Sequence, residues 1–567
     1  MLAVLIAAPL LFAGLGRTPF DDPGEGMHAE IARELTASRD PLALTLNGVR
    51  YIDKPPLLYV LIAAVSAVVG PSEAGARAVS AVAAIAAVGA TAWLGARLLG
   101  ARAGVVAGIA LLTSIGFFAY GRYVRPETLF VAALAWGFAL CLVGIRDGRR
   151  ALCAAGLAVF GLAALAKDPL GAILPPLAIG VAMALAGRAR PVSAWLPWPG
   201  VVACLVIGFG WWIGAEVRTP GFGWYTTIDN HVMNVARARQ FADEDIPLTA
   251  LEFLAVAVGS ALPWVIAAGA ALWSLARRRA WRNPDEVGWV ALAIWVLGVL
   301  GLTALSPFRL PHYGLPASFA VALLAARGWE LHGGRRMLAA HLVLFAAAAA
   351  GCAVTWMGDG SVLTSVMDVT DVATMKNAAA GLPLPVPPWD EFRPVFWSAA
   401  LMFGLCALAT AAALAFVSSP ERRRSLGVLI VGVTMVATMP GVARSLGVVV
   451  RNRAVRDLAQ SVARQAGPED VVAHEGPIEN SGALEWYSGR RPVLLDGRRS
   501  VLAFGAERPE SRDLFWDAAR LRDAWTSGRR VWVVSVRSPA HSLVADLPGA
   551  RLLGVAGGRT LWVNEIR

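Results

Sequence analysis

Residues 46–70 read LNGVRYIDKPPLLYVLIAAVSAVVG, and the apolar run in the second half of this stretch determines how the whole chain crosses a membrane. The run Pro56–Gly70 has 15 residues, whereas a helix that spans the hydrocarbon core needs about 20. If it were a span, every later arginine-rich loop would lie outside, although Lys and Arg concentrate in cytoplasmic loops. We therefore predict that Pro56–Gly70 is an interfacial or re-entrant helix.

The remaining apolar runs are separated by two alternating kinds of loop. One kind is short and arginine-rich, which is typical of the cytoplasmic side: Ala96–Gly104, Arg146–Arg150, Arg188–Arg190, Arg277–Arg282, Arg327–Arg336 and Glu421–Arg424. The other kind is long or carries a motif: Arg17–Lys54, Tyr120–Glu127, Glu216–Glu252, Phe308–Tyr313 and Gly358–Arg393. We predict about thirteen transmembrane helices, with a cytoplasmic amino terminus and the unusual polar chemistry on the outer face.

The predicted spans lie near 1–16, 76–96, 104–120, 128–145, 151–166, 169–187, 198–215, 253–275, 287–306, 314–327, 338–357, 395–417 and 426–447. Composition agrees with this fold class, an α-helical polytopic membrane protein, because 57% of the 567 residues are hydrophobic and 16% are charged. The net charge of +11 comes from arginines scattered through short loops. This distribution fits topology and contact with membrane lipids rather than nucleic acid.

All five cysteines lie inside apolar runs, so no disulfide framework or cysteine metal site is indicated (Cys141, Cys153, Cys204, Cys352 and Cys406). The first apolar stretch, Leu2–Gly16, lacks a basic start and a small-residue cleavage site. We therefore interpret it as an uncleaved first span.

The composition changes after the last apolar run. Short β-rich runs are separated by Gly and Pro turns and by one helical stretch, Arg512–Thr526. The runs are Asp470–His474, Pro492–Asp496, Arg530–Val536, Arg551–Val555 and Thr560–Asn564. We predict two domains: a transmembrane domain over 1–450, with outer loops 17–75, 120–127 and 216–252 at its site, and a soluble extracytoplasmic α/β domain over 451–567. The second domain shows no identifiable catalytic motif, so we expect an accessory role.

The first outer loop opens with an acidic motif, DDPGEGMHAEIARE at residues 21–34. Carboxylates at a Pro/Gly turn run into an amphipathic helix, with Ile31 and Leu35 on one side and Glu30, Arg33 and Glu34 largely on another. The simpler interpretation is a helix N-cap with an acidic first turn, which suits the helix dipole.

The second half of the same loop favours a functional interpretation. Two prolines open the helix that follows Lys54, and proline suits the first turn of a helix. The free backbone N–H groups and the positive end of the helix dipole then lie beside the lysine, which makes a site for an anion. Carboxylates facing such a site at a membrane surface suit a lipid substrate that carries phosphate.

These two motifs together resemble the aminoarabinose transferase and protein O-mannosyltransferase group of GT-C integral membrane glycosyltransferases. RYVRPE at 122–127 resembles the second outer-loop acidic motif of that group, and LPHYGLP at 310–316 resembles its late P-x-Y-x-x-P segment. The resemblance covers most of residues 1–330 and is most specific in the first 60. It implies transfer of a sugar from a polyprenyl-phosphate carrier to a lipid, glycan or protein acceptor on the outer side of the inner membrane, with lipid A modification as one such activity.

The sequence departs from the pattern of that group at three places. The group commonly has an Asp-Glu pair before the helix, and here Gly24 stands at the Asp position, with Asp22 upstream and Glu25 downstream. In the second motif the usual Asp is Glu127, and the usual Glu before Lys-Pro-Pro is Asp53. Each exchange keeps a carboxylate nearby but leaves the identity of the base open between Glu25 and Asp22.

The expected chemistry assigns roles to the outer-loop residues. An enzyme that transfers a sugar from a lipid phosphate neutralises the departing phosphate, orients the acceptor, and removes its proton when the acceptor is a hydroxyl. Lys54 with the following helix start would bind the phosphate, and Arg122 or Arg125 would supply a second clamp. Glu25 or Asp22 would be the base, with Glu127 across the cleft. A phosphate acceptor would require no proton removal.

A further set of side chains is predicted to contact substrate or a metal ion. Asp53 and His231 could supply oxygen and nitrogen ligands for a divalent ion such as zinc, although an outer-loop His is more often a hydrogen-bonding group. Arg309, His312 and Tyr313 at an outer helix mouth would contact substrate, or would form an aromatic belt at the interface. The Lys167-Asp168 pair is interpreted as a turn that keeps its charges at the surface.

Two other classes of function stay open. A secondary transporter or flippase predicts inverted repeats and ionisable residues at mid-membrane depth. In this chain the predicted spans are nearly free of charge and no internal repeat is found. A non-catalytic protein of envelope-glycan assembly would be favoured if Gly24 marks an inactive site.

Overall fold

The computed structural model describes residues 1–241, 245–371, 374–376 and 386–565. Parts of two predicted outer loops, Glu216–Glu252 and Gly358–Arg393, therefore lie outside the described residues. The membrane part contains the following helices: α1 (Leu2–Phe12), α2 (Gly26–Ser38), α3 (Leu57–Val69), α4 (Glu73–Leu99), α5 (Ala101–Leu112), α6 (Ile115–Tyr120), α7 (Glu127–Asp147), α8 (Arg150–Ala166), α9 (Leu170–Leu185), α10 (Trp198–Arg218), α11 (Asn234–Ala236), α12 (Ala250–Ser260), α13 (Trp264–Arg277), α14 (Val287–Leu305), α15 (Ser318–His332), α16 (Arg335–Met357), α17 (Ser361–Thr370), α18 (Trp389–Phe416) and α19 (Pro420–Arg453).

A π-helix, Trp224–Met233, precedes α11, and a 3₁₀ helix, Pro311–Ala317, precedes α15. A small hairpin, β1 (Thr45–Leu46) and β2 (Val49–Arg50), precedes α3. The C-terminal part contains α20 (Arg456–Gln465), β3 (Val471–Glu475), α21 (Leu484–Ser488), β4 (Val493–Leu495), α22 (Ala503–Ala506), β5 (Phe515–Trp516), α23 (Ala518–Thr526), β6 (Val531–Ser535), β7 (Ala550–Ala556) and β8 (Arg559–Asn564).

The chain is a multi-pass helical membrane protein. Among the described residues, seven helices are long and apolar enough to cross a membrane, or eight when α12 and α13 are counted as one span. Shorter apolar helices occupy four of the other predicted spans, namely α1, α5, α8 and α9, and α15 occupies another. The helix α3, in the run that determines the topology, has 13 residues, which is shorter than a full span.

Two predicted spans are interrupted. The run 104–120 divides into α5 and α6 at Thr113 and Ser114, whose hydroxyls donate to the carbonyls four residues earlier. Such side-chain bonds compete with the helix ladder and bend helices. The run 253–275 divides into α12 and α13, which meet at 106°. Pro263 lies at this break. It explains the break, because proline removes a helix hydrogen bond and clashes with the preceding turn.

The hairpin before α3 has a local cause. Asn47 and Gly48 form its two-residue turn with φ of 55° and 74°, the left-handed conformations that an Asn-Gly turn of this kind requires. Leu46 then pairs with Val49, and both side chains are buried. The hairpin directs the chain into Ile52, Asp53 and the start of α3.

The C-terminal part is a mixed α/β domain with a six-stranded sheet in the order β5-β4-β3-β6-β8-β7. The strands β5, β4, β3 and β6 are parallel to one another. The strand β8 is antiparallel to both of its neighbours, β6 and β7. The five predicted strands are all present. The predicted helix Arg512–Thr526 is wrong at its start: a 3₁₀ turn, Pro509–Leu514, leads into β5, and Asp517 caps a shorter helix by accepting the amide of Arg520.

The first outer loop and the C-terminal domain share a hydrophobic core. Side chains from α2, such as Ile31 and Leu35, belong to one buried cluster with Leu494, Trp532 and Leu561 of the sheet. A larger cluster fills the helical bundle, and a third covers the opposite face of the sheet. The packing of α2 on both sides explains why nine of its 13 residues are buried, although its sequence predicted a helix with one polar face.

Candidate functional site

A cavity of about 530 Å³ lies where several outer loops meet the ends of the membrane helices. One end is polar, and the side chains that line it are Asp53, Lys54, Lys167, Asp168, Asn230, His231 and Arg239. The remaining walls are mainly apolar, from Leu170, Leu174, Leu177 and Val181 of α9 and Ile294, Val299 and Leu302 of α14. The cavity therefore combines charged side chains with apolar walls.

Asp53 and Lys54 reach the cavity from the segment between the hairpin and α3. The Lys54 ammonium lies 2.5 Å from Oδ2 of Asp53. Burial alone would raise the pKa of Asp53, but the charge and hydrogen bond of Lys54, together with the charges of Arg239 and His28, hold this pKa below its usual value. The predicted phosphate ligand Lys54 and the predicted metal ligand Asp53 thus lie at one place, and they form an ion pair.

The Lys167-Asp168 turn between α8 and α9 lies at the same cavity, and sequence reasoning missed it. The Lys167 ammonium lies 3.3 Å from Oε1 of Glu127 and 5.4 Å from the centroid of the Tyr313 ring. Asp168 Oδ2 lies 3.2 Å from Nε2 of His231. The predicted topology held a signal for this site, because it places residues 167–168 on the same side as the motif-bearing loops.

The π-helix supplies the third side of the polar end. π-helices are rare and often occur at functional sites, and this one places Thr226, Asn230 and His231 along the cavity. The Nδ1 atom of His231 lies 2.8 Å from the carbonyl oxygen of Thr226, so this nitrogen carries the proton. The hydrogen bond and charge of Asp168 raise the pKa of His231 above its usual value.

Arg239 lines the cavity just beyond the π-helix. Its guanidinium donates to Oδ1 of Asn230 at 2.5 Å and to the carbonyl of Phe241 at 2.8 Å. The guanidinium also lies 3.5 Å from the Asp229 carboxylate, which is completely buried. Three cations, Lys54, Lys167 and Arg239, therefore converge on the polar end.

Glu127 begins α7 beside the cavity and is buried. Besides its contact with Lys167, its Oε1 atom lies 3.4 Å from Nε2 of His312. His312 in turn stacks near Tyr120 and Tyr313, with ring centroids 5.8 and 5.0 Å away. The second acidic motif and the late aromatic segment, both predicted to belong to the site, thus meet each other, and Tyr313 also lines the cavity.

Three predicted site arginines have different environments. Arg122 donates to the carbonyls of Leu10, Leu11 and Ala13 at the end of α1, and Arg309 donates to those of Leu248, Ala304 and Ser306. Both guanidiniums therefore serve as caps for backbone carbonyls in this structure. Arg125 is half-buried, and its positive charge interacts electrostatically with the side chains of His28 and Tyr120.

Glu25 lies outside the cavity and is completely buried. Arg77 of α4 donates from Nε to Oε1 at 2.7 Å and from Nη2 to Oε2 at 2.5 Å. The amides of Val124 and Asp21 donate to the same carboxylate at 2.9 and 3.0 Å. Arg77 also donates to backbone carbonyls of residues 15, 18 and 19. The pair ties the first outer loop to the second.

Asp22 faces the C-terminal domain. Its carboxylate accepts the amide of Val455 at 3.2 Å and the amide of Ala483 at 3.1 Å. Burial raises the pKa of Asp22 to about 7, against the attraction of Arg559. The neighbouring Asp21 forms a 2.9 Å ion pair with Arg453, the last residue of α19. Arg453 also pairs with Asp371.

The position of Gly24 is closed by the second outer loop. A Cβ atom on Gly24 would overlap the hydroxyl of Tyr123 and lie 2.8 Å from its Cε1. The Tyr123 hydroxyl is held in this place by the hydrogen bond that it donates to Asp21. A ring therefore occupies the space in which the related group would place its Asp side chain.

The donor set for a metal fits only in part. Asp53, Asp168 and His231 are suitable ligand types at one cavity, and the Nδ1–H of His231 bonded to a carbonyl is a common arrangement for a metal ligand. However, Asp53 is paired with Lys54 and His231 with Asp168. Among the described residues, the group of three His, Cys or acidic side chains whose ligand atoms all lie within 4.8 Å of one another is a different one. It consists of Glu30, Glu34 and Glu485.

Comparison with known proteins agrees with this architecture. The sequence model of the dolichyl-phosphate-mannose-protein mannosyltransferase family matches residues 53–213. An undecaprenyl phosphate-alpha-4-amino-4-deoxy-L-arabinose arabinosyl transferase of Pseudomonas fluorescens is 28% identical over 314 residues, which are 53% of this chain and 52% of the relative. The chain thus spans about half the length of the curated relatives that it matches.

The fold has counterparts among solved structures. ArnT from Cupriavidus metallidurans in the apo state superposes with a TM-score of 0.80 at 21% identity, covering 100% of this chain and 97% of that one. The same protein bound to undecaprenyl phosphate gives a TM-score of 0.80 at 22% identity, with the same coverage. The match of the family model over residues 53–213 and the matching curated relatives make the chain similar to the dolichyl-phosphate-mannose-protein mannosyltransferases and a distant homologue of the aminoarabinose transferases, and its fold is ArnT-like.

Proposed function

We propose that the chain is a glycosyltransferase that moves a sugar from a polyprenyl-phosphate carrier to a lipid, glycan or protein acceptor. The observation that carries this proposal is the cavity whose wall combines three cations with many apolar side chains. A phosphate with a long hydrocarbon chain needs this combination, because the charged head requires ion pairing while the chain requires apolar walls.

We assign the phosphate to Lys54, Lys167 and Arg239. Each already neighbours a carboxylate or amide oxygen, which orients it before the substrate arrives. In the reaction the bond between the anomeric carbon and the phosphate oxygen breaks, and a bond from the acceptor oxygen to that carbon forms. The cations stabilise the charge that develops on the departing phosphate. Arg122 and Arg125 remain further candidates for this role, and Arg309, His312 and Tyr313 for other substrate contacts.

The proton of a hydroxyl acceptor must pass to a base. Of the three carboxylates proposed for this step, Glu127 retains an oxygen, Oε2, without a hydrogen-bond partner in the described part of the chain. Both oxygens of Glu25 and of Asp22 accept hydrogen bonds. We therefore favour Glu127 as the proton acceptor and positioning roles for Glu25 and Asp22. With a phosphate acceptor, Glu127 would keep Lys167 and His312 in place.

We further propose that thirteen spans cross the inner membrane. Such a count is supported by the thirteen predicted runs, each of which carries a helix or a bent helix pair in the described structure. The amino terminus would be cytoplasmic. The residues 1–450 would form the membrane domain, and 451–567 would form a domain on the outer face.

The test is a transfer assay with detergent-purified protein and a radiolabelled polyprenyl-phosphate sugar. We expect transfer to a lipid extract or hydrolysis of the donor, and we expect Lys54→Ala to lose most of it. Arg218→Ala is the matched control, because Arg218 is exposed and pairs with Asp40 away from the cavity. Uptake of the sugar lipid into proteoliposomes without chemical change would favour a transporter, and inert behaviour in both assays would favour a scaffold.

A further inference from the structure

The C-terminal sheet has a switch in strand order that is typical of ligand-binding α/β folds. The chain passes from β3 to β4 on one side of it and later to β6 on the other side, and all three strands are parallel. In such sheets, ligands bind outside the carboxyl ends of the strands at this switch point. The loops that leave this edge include residues 476–483 after β3, residues 496–514 after β4 and residues 536–549 after β6.

The loop after β3 binds the acidic turn of the membrane part. Ala483 donates its amide to Oδ1 of Asp22 at 3.1 Å. A Cβ atom on Gly482 would overlap the backbone nitrogen of Met27, so these two segments of the chain touch at their backbones. The edge that would hold a small ligand in other folds of this kind is therefore occupied by a loop of the same protein.

The loop after β4 reaches the donor side of the cavity. Phe504 of α22 packs between Tyr225 and Phe241, with both ring centroids 5.6 Å away. Tyr225 and Phe241 are themselves 5.8 Å apart, so the three rings form one aromatic cluster. The adjacent Gly505 lies directly against the backbone carbonyl of Arg50, where a Cβ atom would overlap that oxygen.

The aromatic cluster adjoins residues that line the cavity. Tyr225 belongs to the π-helix. It precedes the cavity residue Thr226 directly and the cavity residue His231 by six positions. Phe241 accepts a hydrogen bond from Arg239 through its carbonyl oxygen. Ile52, the residue before Asp53, belongs to the same buried cluster as Tyr225 and Phe241. The π-helix, Arg239 and the segment before Asp53 thus all adjoin the aromatic cluster, to which the C-terminal domain contributes Phe504.

We propose that the C-terminal domain is a positioning domain for the donor site and that Phe504 is its positioning residue. This inference rests on the proposed function, because it concerns the same cavity. The ring of Phe504 fixes Tyr225 and Phe241, and through them the π-helix and Arg239. A misplacement of about 1 Å in groups that hold a substrate is enough to cost up to a hundredfold in rate or affinity. The domain is therefore a part of the site rather than an accessory.

The test measures binding of undecaprenyl phosphate to the full-length protein in detergent. The ligand is radiolabelled, because Trp212 and Trp295 are two of 21 tryptophans and intrinsic fluorescence would not report occupancy of the cavity. We expect Phe504→Ala to weaken binding roughly tenfold and to raise the KM for the donor more than it lowers kcat. Phe504→Leu should recover part of the affinity. The melting temperature is recorded for every variant.

The control variant is Val544→Ala. Val544 is fully buried in the separate cluster on the opposite face of the sheet, so its truncation lowers the melting temperature without touching the aromatic cluster. We expect wild-type affinity in this variant. If Phe504→Ala fails to fold, Phe241→Leu removes the same contact from the other side. Wild-type affinity in both Phe504→Ala and Phe241→Leu would overturn the inference. Absence of binding in the wild-type protein would instead overturn the donor-site assignment itself.

Discussion

Glu25 and Arg77 form a two-pronged ion pair that joins the first outer loop to α4, with N–O distances of 2.7 and 2.5 Å. The guanidinium is 3% exposed and the carboxylate 0% exposed. Because Val124 also donates to Glu25, the pair brings both acidic loops together. Its strength and its position outside the cavity make it a support for the site.

Glu25→Gln tests this role. The substitution leaves a buried guanidinium opposite a neutral amide, and breaking a buried pair in this way costs about 3–5 kcal/mol. We expect a lower melting temperature together with lost transfer. The double variant Glu25→Gln with Arg77→Met should recover part of the melting temperature. A Glu25→Gln protein with wild-type stability and no transfer would restore Glu25 as the base.

Gly24→Asp restores the residue of the related group, and we expect it to fail. Gly24 does not have a positive φ, so its backbone conformation accepts a side chain, but the ring of Tyr123 occupies the space. The double variant Gly24→Asp with Tyr123→Ala removes that overlap and should recover expression and folding. The measurement is the yield of monodisperse protein in size-exclusion chromatography. Normal yield of Gly24→Asp alone would show that Tyr123 moves aside at little cost.

Asp22→Asn should weaken the attachment of the C-terminal domain. Asn offers one acceptor oxygen where two backbone amides need acceptors, so the amide of Val455 or Ala483 loses its partner. An unsatisfied buried donor costs about 1–3 kcal/mol, which is less than the loss expected for Glu25→Gln. Limited proteolysis between α19 and α20 measures the attachment, with Asp457→Asn in α20 as a control. Equal cleavage rates in the wild-type and Asp22→Asn proteins would contradict this prediction.

Lys167→Met should weaken undecaprenyl phosphate binding by tenfold or more, since a hydrogen bond between charged groups contributes about 1.5–3 kcal/mol. The methionine keeps the length of the side chain and removes its charge. Lys376→Met is the matched control, because Lys376 pairs with Asp245 at 2.8 Å and is absent from the cavity wall. Equilibrium binding of radiolabelled undecaprenyl phosphate decides between them. An unchanged affinity of Lys167→Met would exclude this lysine from the phosphate site.

The orientation in the membrane is tested by single cysteines in a cysteine-free background. A cysteine at Asp513, whose side chain is 96% exposed, should react with an impermeant thiol reagent added to intact spheroplasts. One at Arg149, in an exposed arginine-rich loop, should react only after lysis. Labelling of position 149 in intact cells would reverse the proposed topology.

The sequence predicted the large-scale arrangement well, because that arrangement depends on local properties. Span positions follow from the length of apolar runs, and the five predicted strands follow from β-branched residues between turns. Breaks such as the one at Pro263 were missed, since an apolar run gives no sign of the direction in which it bends. The shortened helix at Asp517 was missed because its capping signal competed with a continuous helical pattern.

The site was predicted less completely, because its residues come from loops far apart in the chain. Of the residues predicted to belong to the site, Lys54, Asp53, His231 and Tyr313 line the cavity. Lys167 and Asp168 carry no motif, and their role becomes visible only once α8 and α9 pack beside the π-helix. Arg77 lies within an apolar helix, so nothing local shows that it neutralises Glu25.

The contacts of Asp22 also determine the order in which the protein can mature. Its carboxylate binds the amide of Val455, which is 433 residues later in the chain, and that of Ala483, which is 461 residues later. During synthesis the acidic turn is therefore made early and remains without these partners until the ribosome has made most of the polypeptide. A chain that stops before the sheet could insert its helices, but it would leave this turn solvated and the apolar face of α2 uncovered. Completion of the carboxyl terminus thus acts as the last step that turns an inserted bundle into a finished site.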